Sequence, residues 1–337
     1  MKIKKIILLL IIFNLFCNQI IFAQNTKQDI LKIYIELDKR TYLELKNLSI
    51  RIKKSQMITE ELKKKFNGQL LFKGKKYPIR LWLDGLSEEH FGGKNLSNNT
   101  FEIRLKNKKY ILETKNFRIL SKKAFRNDYP LYYNEILSYL GLPYRHIIPL
   151  NFSVNLRNKE KNLKNRYTHV LEEKIDKDFL IKNQLPESVI FEKDIYNKEY
   201  IEIIYKCRNR ILKKEECIAL NDENEKKNRF KITKNKYDKD EAKYAIKIYK
   251  SYLDKTKKPA EVFEINQVAK ILALHTILNN SHALADGNIK FYFNPKTKKI
   301  LIIPTDPHRP FELKRGYENL SSTQKIVAKN FEFLKYD

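Results

Sequence analysis

The stretch HALADGNIKFYFNPKTKKILIIPTD, His282 to Asp306, reads as a β-hairpin with oxygen ligands at its open end. Ile289, Phe291 and Phe293 alternate along a first strand, and Ile300 and Ile302 lie within a second. Asn294-Pro295 and the Lys/Thr residues after it supply the turn. In an antiparallel hairpin the residue entering the first strand stands beside the residue leaving the second. Asn288 and Asp306 are therefore expected to be neighbours, with Asp286 two residues upstream. One amide and two carboxylates converging there suit Mg²⁺, a hard cation that takes oxygen ligands from few protein groups plus a phosphate. Asp-Gly-Asn is also ordinary turn chemistry, and an Asp after Pro-Thr is an ordinary strand end, so the hairpin alone leaves both readings open.

Immediately upstream, VFEINQVAKILALHTILNN (Val262 to Asn280) places Ile265, Val268, Leu272 and His275 on one face, with other apolar residues filling much of the rest. That pattern predicts a buried helix running straight into the loop that carries Asp286. His275, on the buried face, reads as a hydrogen-bonded core residue. His282 lies in the loop itself, four residues before Asp286, placed to orient the loop or to contact a phosphate. Residues 195–260, rich in Lys, Glu and Asn, read as surface helices around the charged loop NDENEKKN and carry no recognisable chemistry.

Residues 26–120 read as mainly β, with strands near LKIYIEL, YLELKNLSIRI, GQLLFKG, YPIRLWL, TFEIRL and NFRIL. A helix then begins at Asp128. An Asp cap, Pro130 in the first turn, apolar Leu131, Ile136, Leu137 and Leu140, and Gly141 and Pro143 beyond the end mark its limits.

Taken in order, TFEIRL (Thr100–Leu105), ETKNFRIL (Glu113–Leu120), YYNEILSYLGLPYRHIIPL (Tyr132–Leu150), YTHVLEEKIDKDFL (Tyr167–Leu180), ESVIFEKD (Glu187–Asp194) and the hairpin resemble the CotH (spore-coat protein H) family of atypical, secreted protein kinases. The resemblance covers about two thirds of the chain and rests most on its last two blocks. It implies an α+β, protein-kinase-like fold with a β-rich N-lobe, a helical C-lobe and a catalytic hairpin, formed by residues 99–337 after a β-rich region at 24–98. It also implies roles: Asp286 acts on the acceptor hydroxyl, Asn288 and Asp306 hold the metal, and Lys115 or Arg118 with Glu135 positions the nucleotide phosphates. Glu172 and Glu173 fall at the nucleotide cleft, Glu173 as a nucleotide-binding residue. The chain departs from the family pattern at Asn98-Asn99, where basic residues are usual, at the charged insertion NLRNKEKNLKNR, and at Pro307-His308-Arg309 after Asp306.

Composition sets the compartment. MKIKKIILLLIIFNLFCNQIIFAQ has three lysines, an apolar run and Ile21-Phe22-Ala23, the order of a secretory signal peptide over residues 1–23 with cleavage after Ala23. The run is interrupted by Asn14, Asn18 and Gln19, so no membrane span is expected after cleavage. Lipid modification at Cys17 is the minor alternative. The two other cysteines, Cys207 and Cys217, are expected to form a disulfide in an oxidising compartment. A formal charge of +28 favours acidic proteins, nucleotide phosphates or anionic surface glycans as partners, but no motif interleaves aromatics with basic residues, so nucleic acid is not expected. The combined expectation is a secreted, periplasmic or cell-surface bacterial protein that transfers the γ-phosphate of Mg²⁺-ATP to Ser or Thr of a secreted or surface protein. The alternative is a non-catalytic CotH-like surface module that binds an acidic partner. A metal-dependent hydrolase would lack its usual His ligands.

Overall fold

The computed structural model describes residues 30–305 except 56–57, 59–61, 63, 86–87, 108, 126–127, 157–167, 195–196, 209, 218, 221–228, 234–238, 279, 281 and 285. The expected signal peptide and Asp306 lie outside the described residues. The described residues from Lys32 onward form one unit.

Its first half contains β1 (Leu31–Leu37), α1 (Lys39–Ser55), β2 (Phe66–Phe72), β3 (Lys75–Leu83), β4 (Phe101–Leu105), β5 (Asn116–Ser121), α2 (Lys122–Phe125), α3 (Tyr129–Tyr139), β6 (Ile147–Leu156) and β7 (His169–Glu173). The seven strands close a barrel in the order β1-β2-β3-β4-β5-β7-β6, taking strands from both sides of residue 98. Alternation dictates its inside. Ile79, Leu81 and Leu83 of β3 stand opposite Leu105, Ile103 and Phe101 of β4, and Phe101 and Ile103 in turn stand opposite Ile119 and Phe117 of β5. All of these are buried, and Phe101 meets Phe152 of β6 at 5.7 Å between ring centroids.

One expected strand is a helix. YLELKNLSIRI lies within α1, where Leu45, Leu48, Ser49 and Ile52 are the buried positions. Their spacing of three, one and three is a helical stripe, and the Asp38 carboxylate accepts from the Thr41 amide (2.8 Å) and hydroxyl (2.7 Å) at the start of the helix. The apparent alternation over Leu43, Leu45, Ile50 and Ile52 mixes two faces of that helix, since Leu43 is exposed. By contrast α3 lies where its punctuation indicated, with Asp128 before it and Gly141 beyond it at φ +67°.

The second half contains α4 (Lys177–Lys182), β8 (Ile190–Lys193), α5 (Lys198–Arg208), β9 (Phe230–Ile232), α6 (Lys239–Leu253), α7 (Pro259–Val262), α8 (Ile265–Ile277), β10 (Ile289–Asn294) and β11 (Lys299–Pro304). Here an antiparallel sheet runs β11-β10-β8-β9. Both faces of its central hairpin are covered. Ile289, Phe291, Phe293, Ile300 and Ile302 pack with Tyr249 and Tyr252 of α6, Phe263, and Val268 and Ile271 of α8. On the other face Tyr292, Leu301 and Ile303 pack with Ile175, Phe179 and Leu180. Cys207 and Cys217 are bridged, with 5.9 Å between their α-carbons.

This architecture corrects the kinase-like, two-lobed α+β fold. A closed seven-stranded barrel replaces a β-rich N-lobe, and a four-stranded sheet with its helices replaces a helical C-lobe. Alternation identifies strands but not their partners. The barrel seats β7 beside β5 and closes by bringing β6 round to β1, non-local choices that no local pattern encodes.

Candidate functional site

The register of the hairpin runs from Ile289 opposite Pro304 to Asn294 opposite Lys299. Lys298, at φ +59°, completes the turn and returns its amide to the Asn294 carbonyl at 2.8 Å. One step beyond the open end, the Thr305 amide and hydroxyl both donate to the Asn288 carbonyl, at 2.6 and 2.9 Å. Asn288 is thus fixed against the residue that precedes Asp306. Asp286 opens the 3-10 turn Asp286–Asn288, after a similar turn at His282–Leu284 whose Ala283 and Leu284 are fully buried. Asp306 and the side chains of His282 and Asp286 lie outside what is described.

The loop is also held at its beginning. His275 Nδ1 lies 2.6 Å from the Asn280 carbonyl, which can only accept, so Nδ1 carries the proton and Nε2 accepts from the Tyr133 hydroxyl at 2.7 Å. The Asn280 side-chain amide donates to the Tyr129 hydroxyl at 3.1 Å. Burial pushes the His275 pKa down to about 4, against the opposing pull of the Asn280 backbone. It is the hydrogen-bonded core histidine that its position indicated.

Beside the hairpin base runs a charged seam. Lys290, two residues past Asn288, is ion-paired with Glu192 of β8, which also has Lys231 at 3.7 Å. Burial pushes Lys290 below the ordinary lysine range, opposed by Glu192 and assisted by the charge of Lys174. Lys174, just past β7, pairs with Glu102 at 2.8 Å, and its charge is also felt at Asp84. Burial works to raise the Asp84 pKa, but Arg118 and Lys174 outweigh it and hold the carboxyl below the usual range. Arg118 of β5 lies opposite Glu172 of β7; its Nη1 donates to Glu172 at 3.3 Å and its Nε forms an ion pair with Asp84 at 2.7 Å. Arg145 takes the other oxygen of Glu172 at 2.7 Å, both side chains being buried. The seam therefore links the outer barrel surface to β10, the strand that follows Asn288.

The expected nucleotide-binding residues are distributed over this frame. Arg118 meets Glu172 on the neighbouring strand β7. Glu173 is buried, accepts the His146 amide at 2.9 Å and is ion-paired with Lys182, whose ammonium lies 4.7 Å from the Tyr144 ring centre. Burial depresses the Lys182 pKa and Glu173 opposes it. Lys115 lies just before β5, its carbonyl accepting from the Leu105 amide at 3.0 Å. Glu135 is exposed on α3 and enters no ion pair with Lys115 or Arg118. Lys182, Lys290, Glu192, Asp84 and Arg145 went unnoticed in the sequence. For Lys290 the signal was there: a lone cation inside the apolar run IKFYF must find a carboxylate on the next strand.

Among the described residues, no group of three or more His, Cys, Asp or Glu side chains is placed to hold a metal ion, and no helix is long and apolar enough to cross a membrane. No known protein family and no curated protein matches the chain.

Proposed function

We propose that the open end of the hairpin is a phosphoryl-transfer site, using Mg²⁺-ATP to phosphorylate Ser or Thr of a protein outside the cytoplasm. The observation that carries this reading is the pair of Thr305 hydrogen bonds to the Asn288 carbonyl, which fixes the amide residue next to the start of the Thr305-Asp306 step. One amide oxygen and two carboxylates, from Asn288, Asp306 and Asp286, are a donor set suited to a hard divalent cation. Asn288 and Asp306 would hold it. When bound, such an ion neutralises charge on the triphosphate. Asp286 accepts the proton of the acceptor hydroxyl. The bridge between Cys207 and Cys217 supports export, since disulfides persist in oxidising compartments.

Calorimetric titration with Mg²⁺-ATP tests the site. Asp306→Ala is expected to abolish Mg²⁺-dependent nucleotide binding. Asp286→Asn is expected to bind normally yet transfer phosphate at least about a hundredfold more slowly, the usual scale of a lost general base. Equal Mg²⁺-ATP affinity in the folded wild type and Asp306→Ala would remove the reading.

A further inference from the structure

Remote from the hairpin mouth, α6 carries Lys243, Lys247 and Lys250 at positions i, i+4 and i+7, one face of the helix. With Ile246 as part of its floor and Asp254 at its far end, this face borders a shallow basin of about 530 Å³. Among the described residues the lysine charges are poorly compensated. There Lys243 pairs with the exposed Asp240, at 3.0 Å, Lys247 has no carboxylate partner, and Lys250 stands 5.9 Å from the Phe230 ring centre instead of beside an acid. Repulsion between like charges one turn apart works against this helix. A cation late in α6 suits the helix dipole; Lys243, near its start, does not.

We propose that this basin binds an acidic stretch of a partner polypeptide. Along the helix axis Lys243 and Lys247 are about 6 Å apart and Lys247 and Lys250 about 4.5 Å. Alternate residues of an extended peptide recur about every 6.6 Å, so successive carboxylates on one side of such a strand reach successive ammonium groups. Lysine stems and Ile246 give the intervening side chains an apolar surface. The basin offers neither an arginine fork for phosphate nor a row of aromatic platforms for bases, which disfavours nucleic acid. Asp254 repels carboxylates and marks where the acidic stretch must end. The inference holds whether or not the hairpin transfers phosphate.

The probe is a fluorescent peptide of alternating Glu and Ser, followed by anisotropy at physiological salt. Lys243→Glu, Lys247→Glu and Lys250→Glu combined should weaken binding at least about tenfold, the scale of a few lost ion pairs. The same charge change at Lys39, Lys54 and Lys75, all exposed elsewhere, should weaken it less than about threefold, since distant surface charges are screened. If the charge reversal disturbs the circular dichroism, the three Lys→Gln substitutions replace it, with the same ranking expected. Equal weakening by both sets would reduce the effect to net charge and overturn the proposal. So would tighter basin-dependent binding of heparin or oligothymidine than of the peptide.

Discussion

In the barrel each strand has a partner on both sides, whereas the four-stranded sheet ends at β11, and the polar groups of the two regions differ accordingly. Closure removes the barrel's edges, so its outer charges can be tied to one another: Glu172 is shared by Arg118 and Arg145, and Arg118 by Asp84. The open sheet must instead satisfy an edge, and it does so with a side chain. Gln267 of α8 donates to the Ile302 carbonyl at 2.6 Å and accepts from the Ile302 amide at 3.2 Å, imitating a neighbouring strand. Thr305, just past β11, is hydrogen-bonded to the Asn288 carbonyl. The sheet ties charges too, Glu192 being shared by Lys290 and Lys231, but only the sheet has an edge strand to cover.

Acid is expected to have the largest effect, and to weaken both regions. Among the described residues each contains one buried histidine, His169 on β7 and His275 on α8, and burial holds both near a pKa of about 4 against an ordinary 6.5. Between these values the unfolded chain binds protons that the folded chain refuses, so stability falls as pH drops from 6.5 and levels off near 4. Each group accounts for about 3 kcal/mol of that loss, on the order of 1.4 kcal/mol per pH unit. His275 has partners on both ring nitrogens, while His169 has the Thr168 hydroxyl on Nδ1 at 2.8 Å and no hydrogen bond completed at Nε2. Urea titrations across this window should show His169→Gln and His275→Gln each removing about half the slope. An unchanged slope in either would show that histidine already charged in the fold.

Next in size is the barrel's shared carboxylate. Glu172→Ala leaves Arg145 buried without its partner, and removing one member of a buried pair costs about 3–5 kcal/mol. Arg118, more exposed and still beside Asp84, loses less. A loss below about 1 kcal/mol in denaturant midpoints, with unchanged m-value, would mean that water replaces the carboxylate and that the outer barrel is wetter than its burial indicates.

The two regions also differ in how readily the sequence revealed them. The hairpin was legible because alternation, an Asn-Pro turn and both strands lie within one short stretch, but its register sets Asn288 opposite Thr305, one residue before the expected Asp306. α3 was legible from Pro130 and Gly141. The barrel was not, although five of its strands were visible one by one, because nothing local states that β7 lies beside β5 or that β6 closes on β1. α1 was misread because short β-branched and leucine runs satisfy period two and period 3.6 alike over a few residues. β9 fell within a lysine-rich stretch whose composition suggested helix, and Phe230 is nearly the only apolar cue to it. At the site, Asn288 could be placed from the turn, but the ionic partners of Arg118, Glu173 and Lys290 come from other strands and helices, and only the folded chain brings them together.

The disulfide tests a third attachment, belonging to neither sheet. Cys207 closes α5 onto the segment at Cys217 across a separation of ten residues. Cys207→Ser with Cys217→Ser should lower stability by about 2–3 kcal/mol in the chain-entropy model. The loss should appear equally under reducing and oxidising conditions in the variant, and in the wild type only on reduction. If reduction leaves the wild type unchanged, α5 is held by its packing, of which Ile201 is the buried representative.

The smallest expected effect bears most directly on the contrast between closed and open sheets. Gln267→Ala removes two hydrogen bonds from the outer edge of β11, which α8 covers, and should cost about 1–2 kcal/mol, at about 0.5–1.5 kcal/mol per net bond. The Ile302 amide and carbonyl, partly buried, then compete for water or for another chain. Because an unpaired strand edge templates further pairing, the variant should aggregate faster than wild type at equal stability, while Glu172→Ala should not, its barrel having no edge to expose. Comparing the two variants in urea concentrations chosen to equalise their stabilities separates edge exposure from mere destabilisation. Equal aggregation rates there would place the sheet's protection elsewhere, at the Glu264 amide that donates to the Ile300 carbonyl at 3.0 Å and the parallel bridge of Phe263 to Ile300.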